Sequence, residues 1–366
     1  MDKKFEQTTK EWAMIILFLA FLGAPLFLFA LHPFKNSISV EEKRAIAKAP
    51  TFTLSTFMLD TYQDEYEKYF DDHFGLRDQM ITANSLFHYY LLSTSPNAKV
   101  LIGDNHWLFY SAEKTIDRFR SGNVLTSDEL SGIAQFLQDE QQKFDQQGIE
   151  FVVLVAPDKE TIYPENLPVR IEKALGPSTL DSFLEAMSKT TVTVIDPRGE
   201  LRAHVQEEKL YAQTDTHWTD PGAAIAFEQL QESLGVDSVD TPKYRETESR
   251  EGDLADLMSL GGKLRESVPV AQTAFDSYTT RISTRNGIDF RETENVDAED
   301  NRHVLVFRDS FGEKLMPFFS ETFVHVTFER AYFDQQLIDE THPDVVVLQI
   351  VERNIPRLTQ GRNAIP

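Results

Sequence analysis

The chain has 366 residues, with 36 lysines and arginines, 59 aspartates and glutamates, and no cysteine. This length corresponds to about two structural units at roughly 150 residues per domain. The absence of cysteine excludes disulfide scaffolds, thiol nucleophiles and every cysteine-ligated zinc or iron–sulfur site. A net charge of −23 opposes binding to nucleic acid, because proteins meet its phosphates with faces rich in lysine and arginine.

An apolar segment lies near the start of the chain, since the 23 residues from Trp12 to Phe34 include no aspartate, glutamate, lysine or arginine. A helix rises about 1.5 Å per residue, so this stretch predicts one transmembrane helix across a hydrocarbon core of about 30 Å. A cleaved signal peptide is less favoured, because the apolar run is long and no small-x-small cleavage site follows it. Residues 1–34 are therefore predicted to form a cytoplasmic tail and an uncleaved signal anchor.

The next segment, residues 35–98, is predicted to form a polar linker followed by a helical stalk. Basic residues lie on both sides of the apolar segment, so their distribution alone does not orient it. The stalk carries aromatic residues from Tyr62 to Tyr90. Such a stripe is more typical of a surface that packs against a main domain than of a ligand site.

From residue 99 onward, strand and helix patterns alternate along the chain. This alternation predicts an α/β fold with a mostly parallel sheet flanked by helices. Helices are predicted at 127–147 and 223–234 from their start signals, and the polar, turn-rich residues 240–300 predict an insertion. The strands are predicted at 151–156, 192–195, 303–307, 324–328 and 345–350.

Two segments carry residues that fit nucleophilic catalysis. Asp215 and His217 are two residues apart, so in an extended segment both side chains point to the same side and the carboxylate orients the imidazole. Ser310 lies between a strand and a helical pattern, which places its hydroxyl at a strand end beside N–H groups that stabilise an oxyanion. Arg308 is expected on the same side as Ser310, where it binds substrate or holds the loop. Asp309 is expected to point the other way and to be structural.

Each of these residues also has a structural interpretation. A serine that follows an aspartate at a strand end is often a helix N-cap. Asp215 and His217 would also serve as two metal ligands, but no spacing such as HExxH supplies a third. The sequence therefore predicts no metal site, and the case for catalysis rests on the combination of a nucleophile, a base and an orienting group.

The segments DTHWTDPGA (215–223) and RDSFG (308–312) together resemble the alginate O-acetyltransferase AlgJ/AlgX-type family. Its SGNH-hydrolase-like domains acetylate exported polysaccharides. A standard SGNH hydrolase has its serine block first, whereas here Asp-x-His precedes the serine, and this permuted order is shared by the family. Further similar segments are DHFGLR (72–77), GDNHWLFY (103–110), APDKE (156–160), YPE (163–165) and VER (351–353).

The resemblance implies that residues 99–366 form an SGNH-hydrolase-like catalytic domain that contains the 240–300 insertion. It implies that Ser310 is the nucleophile, His217 its base and Asp215 the residue that orients the base. The candidates for binding substrate or stabilising the oxyanion are Arg308, Tyr163 and Lys159.

The expected protein is a membrane-anchored O-acetyltransferase with its catalytic domain on the periplasmic or extracellular side of the cytoplasmic membrane. The resemblance implies an exopolysaccharide acceptor, no cofactor, and an acetyl group delivered by a membrane-bound O-acyltransferase (MBOAT) partner. The negative charge favours a neutral polymer such as cellulose over acidic alginate. Two alternatives stay open: an acetyl esterase of the same fold, and a non-catalytic polysaccharide-binding subunit in which Ser310 caps a helix.

Overall fold

A computed structural model gives the fold of the chain. It divides into two compact units, one comprising Met1–Pro96 with Asp256–Gly261 and the other Asn97–Ala255 with Gly262–Pro366. The described residues are 2–31, 38–39, 44–53, 55, 61–122, 124–173, 175–236, 243–249, 252–272, 278–285 and 287–363. Much of the polar linker predicted at the start of the 35–98 segment lies outside the described residues.

The first unit contains the apolar helix, α1 (Asp2–Leu31). Among the described residues, only its segment Lys10–Leu31 is long and apolar enough to cross a membrane, which fits a single-pass anchor. The further elements of this unit are β1 (Ile38–Ser39), β2 (Arg44–Ala45), α2 (Thr61–His73), α3 (Arg77–Phe87) and a π-helix (His88–Leu92).

The second unit alternates between strands and helices. Its strands are β3 (Val100–Ile102), β4 (Leu108–Tyr110), β5 (Glu150–Ala156), β6 (Thr193–Ile195), β7 (Tyr244–Ser249), β8 (Glu266–Ala271), β9 (Thr279–Arg285), β10 (Ile288–Glu294), β11 (Asp300–Phe307), β12 (Phe323–Glu329) and β13 (Val345–Val351). The helices that begin in it are α4 (Thr115–Ser121), α5 (Ser127–Gln147), α6 (Lys159–Ile162), α7 (Thr179–Met187), α8 (Arg198–His204), α9 (Asp220–Ser233), α10 (Asp253–Leu257), α11 (Met316–Thr322) and α12 (Gln335–Thr341).

A seven-stranded sheet in the order β6-β5-β13-β11-β12-β10-β9 forms the centre of this unit. The five strands from β6 to β12 are parallel, and β10 and β9 continue the sheet antiparallel. The mostly parallel α/β fold predicted from the sequence is therefore confirmed, and each of the five predicted strands is present. Because parallel strands end at the same edge, the residues that follow β5, β11 and β13 are brought together.

Apolar residues cover both faces of the sheet. Val304 and Val306 of β11 face a core that includes α9 and α11, whereas Leu305 and Phe307 face a core that includes α5, α7 and α12. This alternation explains why residues 304–307 of β11 and 345–348 of β13 are continuously apolar, since both faces of the sheet are buried there.

The segment 240–300 differs from the turn-rich insertion expected from its polarity. β7 and β8 pair as a two-stranded antiparallel sheet, and β9 and β10 form one edge of the main sheet. The side chains of β9 are largely exposed, so a strand at this edge needs no apolar run. The polar composition therefore reflects an exposed sheet edge rather than an absence of strands.

Candidate active site

The candidate nucleophile lies in the turn that follows β11. A short 3-10 helix begins at Ser310, and the side chain of Asp309 caps it by accepting a hydrogen bond of 2.9 Å from the Phe311 N–H. The other Asp309 oxygen accepts a hydrogen bond of 2.7 Å from the Val351 N–H at the end of β13. Asp309 is therefore the structural residue, as expected, and the Ser310 hydroxyl is not used as the cap.

Gly312 allows this turn to lie close to the sheet. A Cβ atom at this position would be 2.7 Å from the Arg308 Cβ and 2.9 Å from the Gln349 Oε1. Gln349 also accepts a hydrogen bond of 3.2 Å from the Asp309 N–H. The turn is thus held between β11 and β13, and its position follows from the sheet.

The base comes from the loop that precedes α9. His217 Nε2 lies 2.9 Å from Ser310 Oγ, and His217 Nδ1 lies 2.7 Å from Asp215 Oδ1. The His217 backbone N–H also donates to the same carboxylate oxygen at 2.8 Å. With a proton on Nδ1, Nε2 is free to accept the serine proton, which is the arrangement required of a general base.

The environment of Asp215 keeps its carboxyl group charged. Burial by itself would raise the pKa of Asp215, but the hydrogen bond and charge of His217, with backbone N–H groups of His217 and Asp253, lower it to about 2. A permanent negative charge beside Nδ1 stabilises the imidazolium that forms when His217 takes a proton.

A second carboxylate lies on the same side of the imidazole. Asp253 Oδ2 is 3.8 Å from His217 Nδ1, and Asp253 Oδ1 accepts a hydrogen bond of 2.7 Å from the Thr216 N–H. The Asp253 N–H in turn donates to Asp215 Oδ2 at 3.0 Å. Burial and the nearby charge of Asp215 raise the pKa of Asp253 to about 6. In mildly acidic solution, Asp215 is therefore charged, whereas Asp253 is largely protonated.

Ser310 and His217 line a cavity of about 410 Å³, a size within the range of small-molecule sites in proteins. Three basic side chains, Arg308, Lys314 and Arg330, lie on its wall together with Glu313. Asp215 also lines the cavity, and Arg308 and Lys314 are paired with Asp289 and Asp220, so the charges on the wall are largely balanced.

The sequence model of the family described as "SGNH hydrolase-like domain, acetyltransferase AlgX" matches residues 100–318, which is more than half of the chain. The chain belongs to this family. The matched range contains Asp215, His217 and Ser310 and most of the seven-stranded sheet.

The relatives of this chain include proteins named "Probable alginate O-acetylase AlgJ" from several bacteria. The one from Pseudomonas fluorescens is 22% identical over 309 residues, which cover 79% of this chain and 76% of the relative. The one from Pseudomonas syringae pv. tomato is 24% identical over 187 residues, which cover 51% of this chain and only 46% of the relative. The chain thus spans about half to three-quarters of the length of these relatives.

A solved structure has the same fold. A DHHW family protein from Eubacterium siraeum superposes with a TM-score of 0.55 at 17% identity, over 73% of this chain and 95% of that chain. At this identity the likeness concerns the fold alone, and it agrees with the SGNH-like sheet described above.

Lys159 of this AlgX-type domain does not line the cavity, although it was a candidate for substrate or oxyanion contact. Its Nζ donates to the backbone carbonyls of Leu108, Gln213 and Asp215 at 2.7, 3.2 and 2.6 Å. The side chain is 2% exposed, and this burial lowers its pKa to about 8, although the charges of Asp215 and Glu266 oppose the shift. Lys159 therefore supports the segment 211–218, which carries Asp215 and His217 and is called the base loop.

Tyr163 is also placed away from the cavity. Its hydroxyl accepts a hydrogen bond of 3.1 Å from the Leu210 N–H, and its ring packs against Trp107 with centroids 4.6 Å apart. Tyr163 is buried against Leu210, where the base loop begins. The structure thus shows Tyr163 packed in the interior instead of at the expected substrate contact.

Arg308 lines the cavity and is buried. Its guanidinium pairs with Asp289 and, at 3.1 Å, with Glu313, and it donates to the Asp309 carbonyl at 3.1 Å. These contacts favour the loop-holding role among the two that the sequence left open. Contact between Arg308 and substrate stays a prediction.

Two residues of the site were not singled out from the sequence, Asp253 and Glu266. Glu266 accepts hydrogen bonds from the Gln213 N–H at 2.7 Å and from the Thr214 N–H at 2.8 Å. Both carboxylates come from the 240–300 segment. No strand was predicted there, so no residue of this segment was considered as lying at a strand end. Their contacts span about 40 or 50 residues along the chain, and no local pattern indicates them.

Among the described residues, one group has potential metal ligands close together: Asp215, His217 and Asp253, whose ligand atoms lie within 4.8 Å of one another. Both His217 nitrogens already lie at hydrogen-bond distance from Asp215 and Ser310. A metal ion at Nδ1 would have to replace the Asp215 hydrogen bond. The predicted absence of a metal stays a prediction.

Proposed function

We propose that this chain transfers acetyl groups to hydroxyls of an exported polysaccharide through an acetyl ester on Ser310. The observation that carries the proposal is the hydrogen-bonded series Asp215–His217–Ser310, with 2.7 and 2.9 Å separations, beside a cavity of about 410 Å³. A non-catalytic subunit would not need this geometry. Membership of the AlgX-type family supports acetyl transfer as the reaction.

In the first half of the reaction, Ser310 Oγ attacks the carbonyl carbon of the acetyl donor as its proton moves to His217 Nε2. The tetrahedral intermediate collapses, the bond to the leaving group breaks, and His217 returns the proton to that group. In the second half, a sugar hydroxyl loses its proton to Nε2 and attacks the acetyl ester. Ser310 leaves with the proton from His217, so the enzyme returns to its starting state.

The oxyanion that forms in each half needs hydrogen-bond donors. The first N–H groups of a helix have no partner within the helix, so the Ser310 N–H is one donor in this proposal. In this proposal Arg330 of the cavity wall adds positive potential where the negative charge develops, whereas the charge of Arg308 is balanced by Asp289 and Glu313.

The apolar helix gives this reaction a location. We propose that α1 anchors the chain in the cytoplasmic membrane with the catalytic unit outside the cytoplasm. Acetyl donors are made inside the cell, so the reaction needs a membrane-bound O-acyltransferase partner that passes the acetyl group across. The chain itself supplies the serine that receives it.

The test is Ser310→Ala in a strain that produces the polysaccharide, with the exposed Ser188→Ala as the matched control. We expect acetylation of the exported polymer to fall to background in the first variant only. Normal acetylation with Ser310→Ala would contradict the proposal.

A second experiment separates transfer from hydrolysis. The protein is incubated with an activated acetyl ester, with and without neutral and acidic oligosaccharides. We expect acetylated sugar to appear and acetate release to fall when the correct acceptor is present. Acetate release that no acceptor changes, without acetylated sugar, would indicate an esterase.

A further inference from the structure

The first residues of α10 run beside the base loop and make three hydrogen bonds to it. The Ala255 N–H donates to the Thr214 carbonyl at 3.2 Å. The Asp253 N–H donates to Asp215 Oδ2 at 3.0 Å, and Asp253 Oδ1 accepts a hydrogen bond of 2.7 Å from the Thr216 N–H. These bonds reach three successive residues of the base loop, the last of which directly precedes the proposed base.

Gly252 allows α10 to begin this close to the base loop. A Cβ atom at this position would be 2.2 Å from the Thr214 Oγ1 and 2.3 Å from the Thr214 carbonyl oxygen. These distances are shorter than ordinary contacts between such atoms, so a larger residue would push the two segments apart. A glycine is needed where one backbone approaches another this closely. The position of the base loop therefore depends on where α10 begins.

The two carboxylate oxygens of Asp215 have different partners. Oδ1 lies 2.7 Å from His217 Nδ1 and accepts a second hydrogen bond from the His217 N–H at 2.8 Å. Oδ2 accepts from the Asp253 N–H. The terminal torsion of an aspartate has broad energy wells, so a carboxylate held at one oxygen alone would rotate. The bond from Asp253 fixes the plane of the Asp215 carboxylate and keeps Oδ1 directed at Nδ1.

The side chain of Asp253 holds the backbone just before the base. Thr216 is buried, so its N–H needs the acceptor that Asp253 Oδ1 provides. This bond requires an oxygen atom and not a charge. The other oxygen, Oδ2, lies 3.8 Å from His217 Nδ1, which is beyond hydrogen-bond distance. Burial and the charge of Asp215 also raise the pKa of Asp253 to about 6, so the site does not favour the charged form.

We propose that Asp253 is a positioning residue for the pair formed by Asp215 and His217. Its N–H fixes the Asp215 carboxylate, and its Oδ1 fixes the backbone that carries His217. The described residues that line the Ser310 cavity do not include Asp253, so it acts through the base and not on the substrate. This inference rests on the proposed function, because it gives Asp253 a part in the reaction at Ser310.

The test separates the acceptor oxygen of Asp253 from its charge. Asp253→Asn keeps an oxygen that accepts from the Thr216 N–H, whereas Asp253→Ala removes it. The full chain in detergent is mixed with an activated acetyl ester, and the rate at which the protein becomes acetylated is measured. Since a displacement of about 1 Å costs about 10²-fold in rate, we expect a loss of about 10²-fold in Asp253→Ala and a near-native rate in Asp253→Asn. A native rate in Asp253→Ala, or equal losses in both variants, would overturn the proposal.

A second readout does not depend on activity. The proton between His217 Nδ1 and Asp215 Oδ1 gives a proton NMR resonance at low field, and this resonance reports their hydrogen bond. We expect it in the native chain and in Asp253→Asn, and we expect it to be lost or moved to higher field in Asp253→Ala. An unchanged resonance in Asp253→Ala would overturn the proposal. If the resonance behaves as expected but the native chain is never acetylated, the proposed function fails and the positioning role of Asp253 stands.

Gly252→Ala tests the same contact without changing a carboxylate. The added Cβ would meet the Thr214 backbone and displace the start of α10 from the base loop, so we expect the rate and the resonance to fall as in Asp253→Ala. Gly132→Ala in α5, where an added Cβ has no atom within 4 Å, is the matched control and should keep both. Thermal unfolding shows which variants are folded at the assay temperature. A folded Gly252→Ala with native rate and resonance would overturn the proposal.

A bound metal ion would give Asp253 a different role, because its carboxylate lies close to those potential ligands Asp215 and His217. The full chain is therefore dialysed against EDTA before the same two measurements. We expect the rate and the resonance to be unchanged. A rate that is lost on dialysis and restored by Zn²⁺ would overturn the proposal, since Asp253 would then be a metal ligand.

Discussion

Ser310 and His217 reach the same cavity from two segments that are built differently. Ser310 follows β11, whose residues 304–307 pair with β12 on one side and β13 on the other. The base loop is closed by a β-bridge between Tyr211 and Trp218, and side chains from distant segments hold its backbone. The proposed nucleophile is thus positioned by the sheet, and the proposed base by long-range contacts. Substitutions in the supports of the base loop should therefore impair catalysis while the sheet stays folded.

The largest effect is expected for Asp215→Asn, which removes the charge that orients His217. The rate of acetyl transfer from an activated ester should fall by about 10³–10⁴-fold, since an amide favours the wrong imidazole tautomer. Asp253→Asn is the matched control, because Asp253 is 3.8 Å from Nδ1 rather than 2.7 Å. Equal losses in the two variants would contradict the assignment of Asp215 as the orienting residue.

The second-largest effect is expected for Lys159→Met. This substitution removes the ammonium group that donates hydrogen bonds to the carbonyls of Gln213 and Asp215. A displacement of about 1 Å in the base loop would reduce the rate by roughly 10²-fold. The measurement is kcat/KM with the same ester, and Lys99→Met at an exposed site is the control. If Lys159→Met keeps the full rate, the base loop does not depend on this lysine.

A smaller effect, on stability, is expected for Glu266→Gln. Burial would raise the pKa of Glu266, but hydrogen bonds from Lys209, Gln213 and Thr214 hold it below the ordinary 4.5. The charged form therefore adds stability above pH 4.5, which is lost as the pH falls through the lowered pKa. Denaturant unfolding at pH 7 should show a loss of about 1–3 kcal/mol.

As a control, the unfolding free energies of the native chain and of Glu266→Gln are also measured in acid. The difference in unfolding free energy between the native chain and Glu266→Gln should shrink as Glu266 becomes protonated. A difference that grows in acid would mean that Glu266 is not stabilised in its charged form.

The smallest effect is expected for the pH dependence of Asp253→Asn. Asp253 has an ordinary pKa of 3.8, and in the folded chain burial and the charge of Asp215 raise it to about 6. Between these values the folded state retains a proton that the unfolded state has lost, so the native stability falls as the pH rises through this window. Its side chain is 41% exposed, so solvent screening keeps the effect small.

Thermal unfolding at pH 4 and pH 7 checks this expectation. The variant should gain in Tm relative to the native chain at the higher pH, because the asparagine never acquires the charge. A relative loss at pH 7 would show that the Asp253 charge is favourable and that its pKa is not raised.

The sequence predicted the parts of the molecule that follow local patterns. The apolar runs at 151–156 and 345–350 are buried on both faces, so their composition alone indicates central strands. The helix at 127–147 has the predicted bounds because Thr126 and Glu129 form a capping box and Gly148 ends it in the left-handed conformation. The separation of Asp215 and His217 by one residue, with Ser310 at a strand end, indicated which side chains would meet.

The parts that were missed depend on contacts without a local pattern. β9 and β10 were not predicted, because they lie at a sheet edge and are polar. Asn286-Gly287 lies between them and is a common hairpin turn signal. Lys159 follows a buried strand, as many substrate-binding residues do, and only the fold shows that its ammonium group meets backbone carbonyls. The family resemblance indicated that these segments matter but not which contacts they make.

The most direct test of the account is to trap the acetyl group on the protein. The chain is mixed with an activated acetyl ester without acceptor, quenched in acid and analysed by peptide mass spectrometry. The account predicts one acetyl group on the peptide that contains Ser310, its loss when acceptor glycan is added, and no such group in Ser310→Ala. Acetyl transfer to glycan by a chain whose Ser310 never carries the group would contradict it.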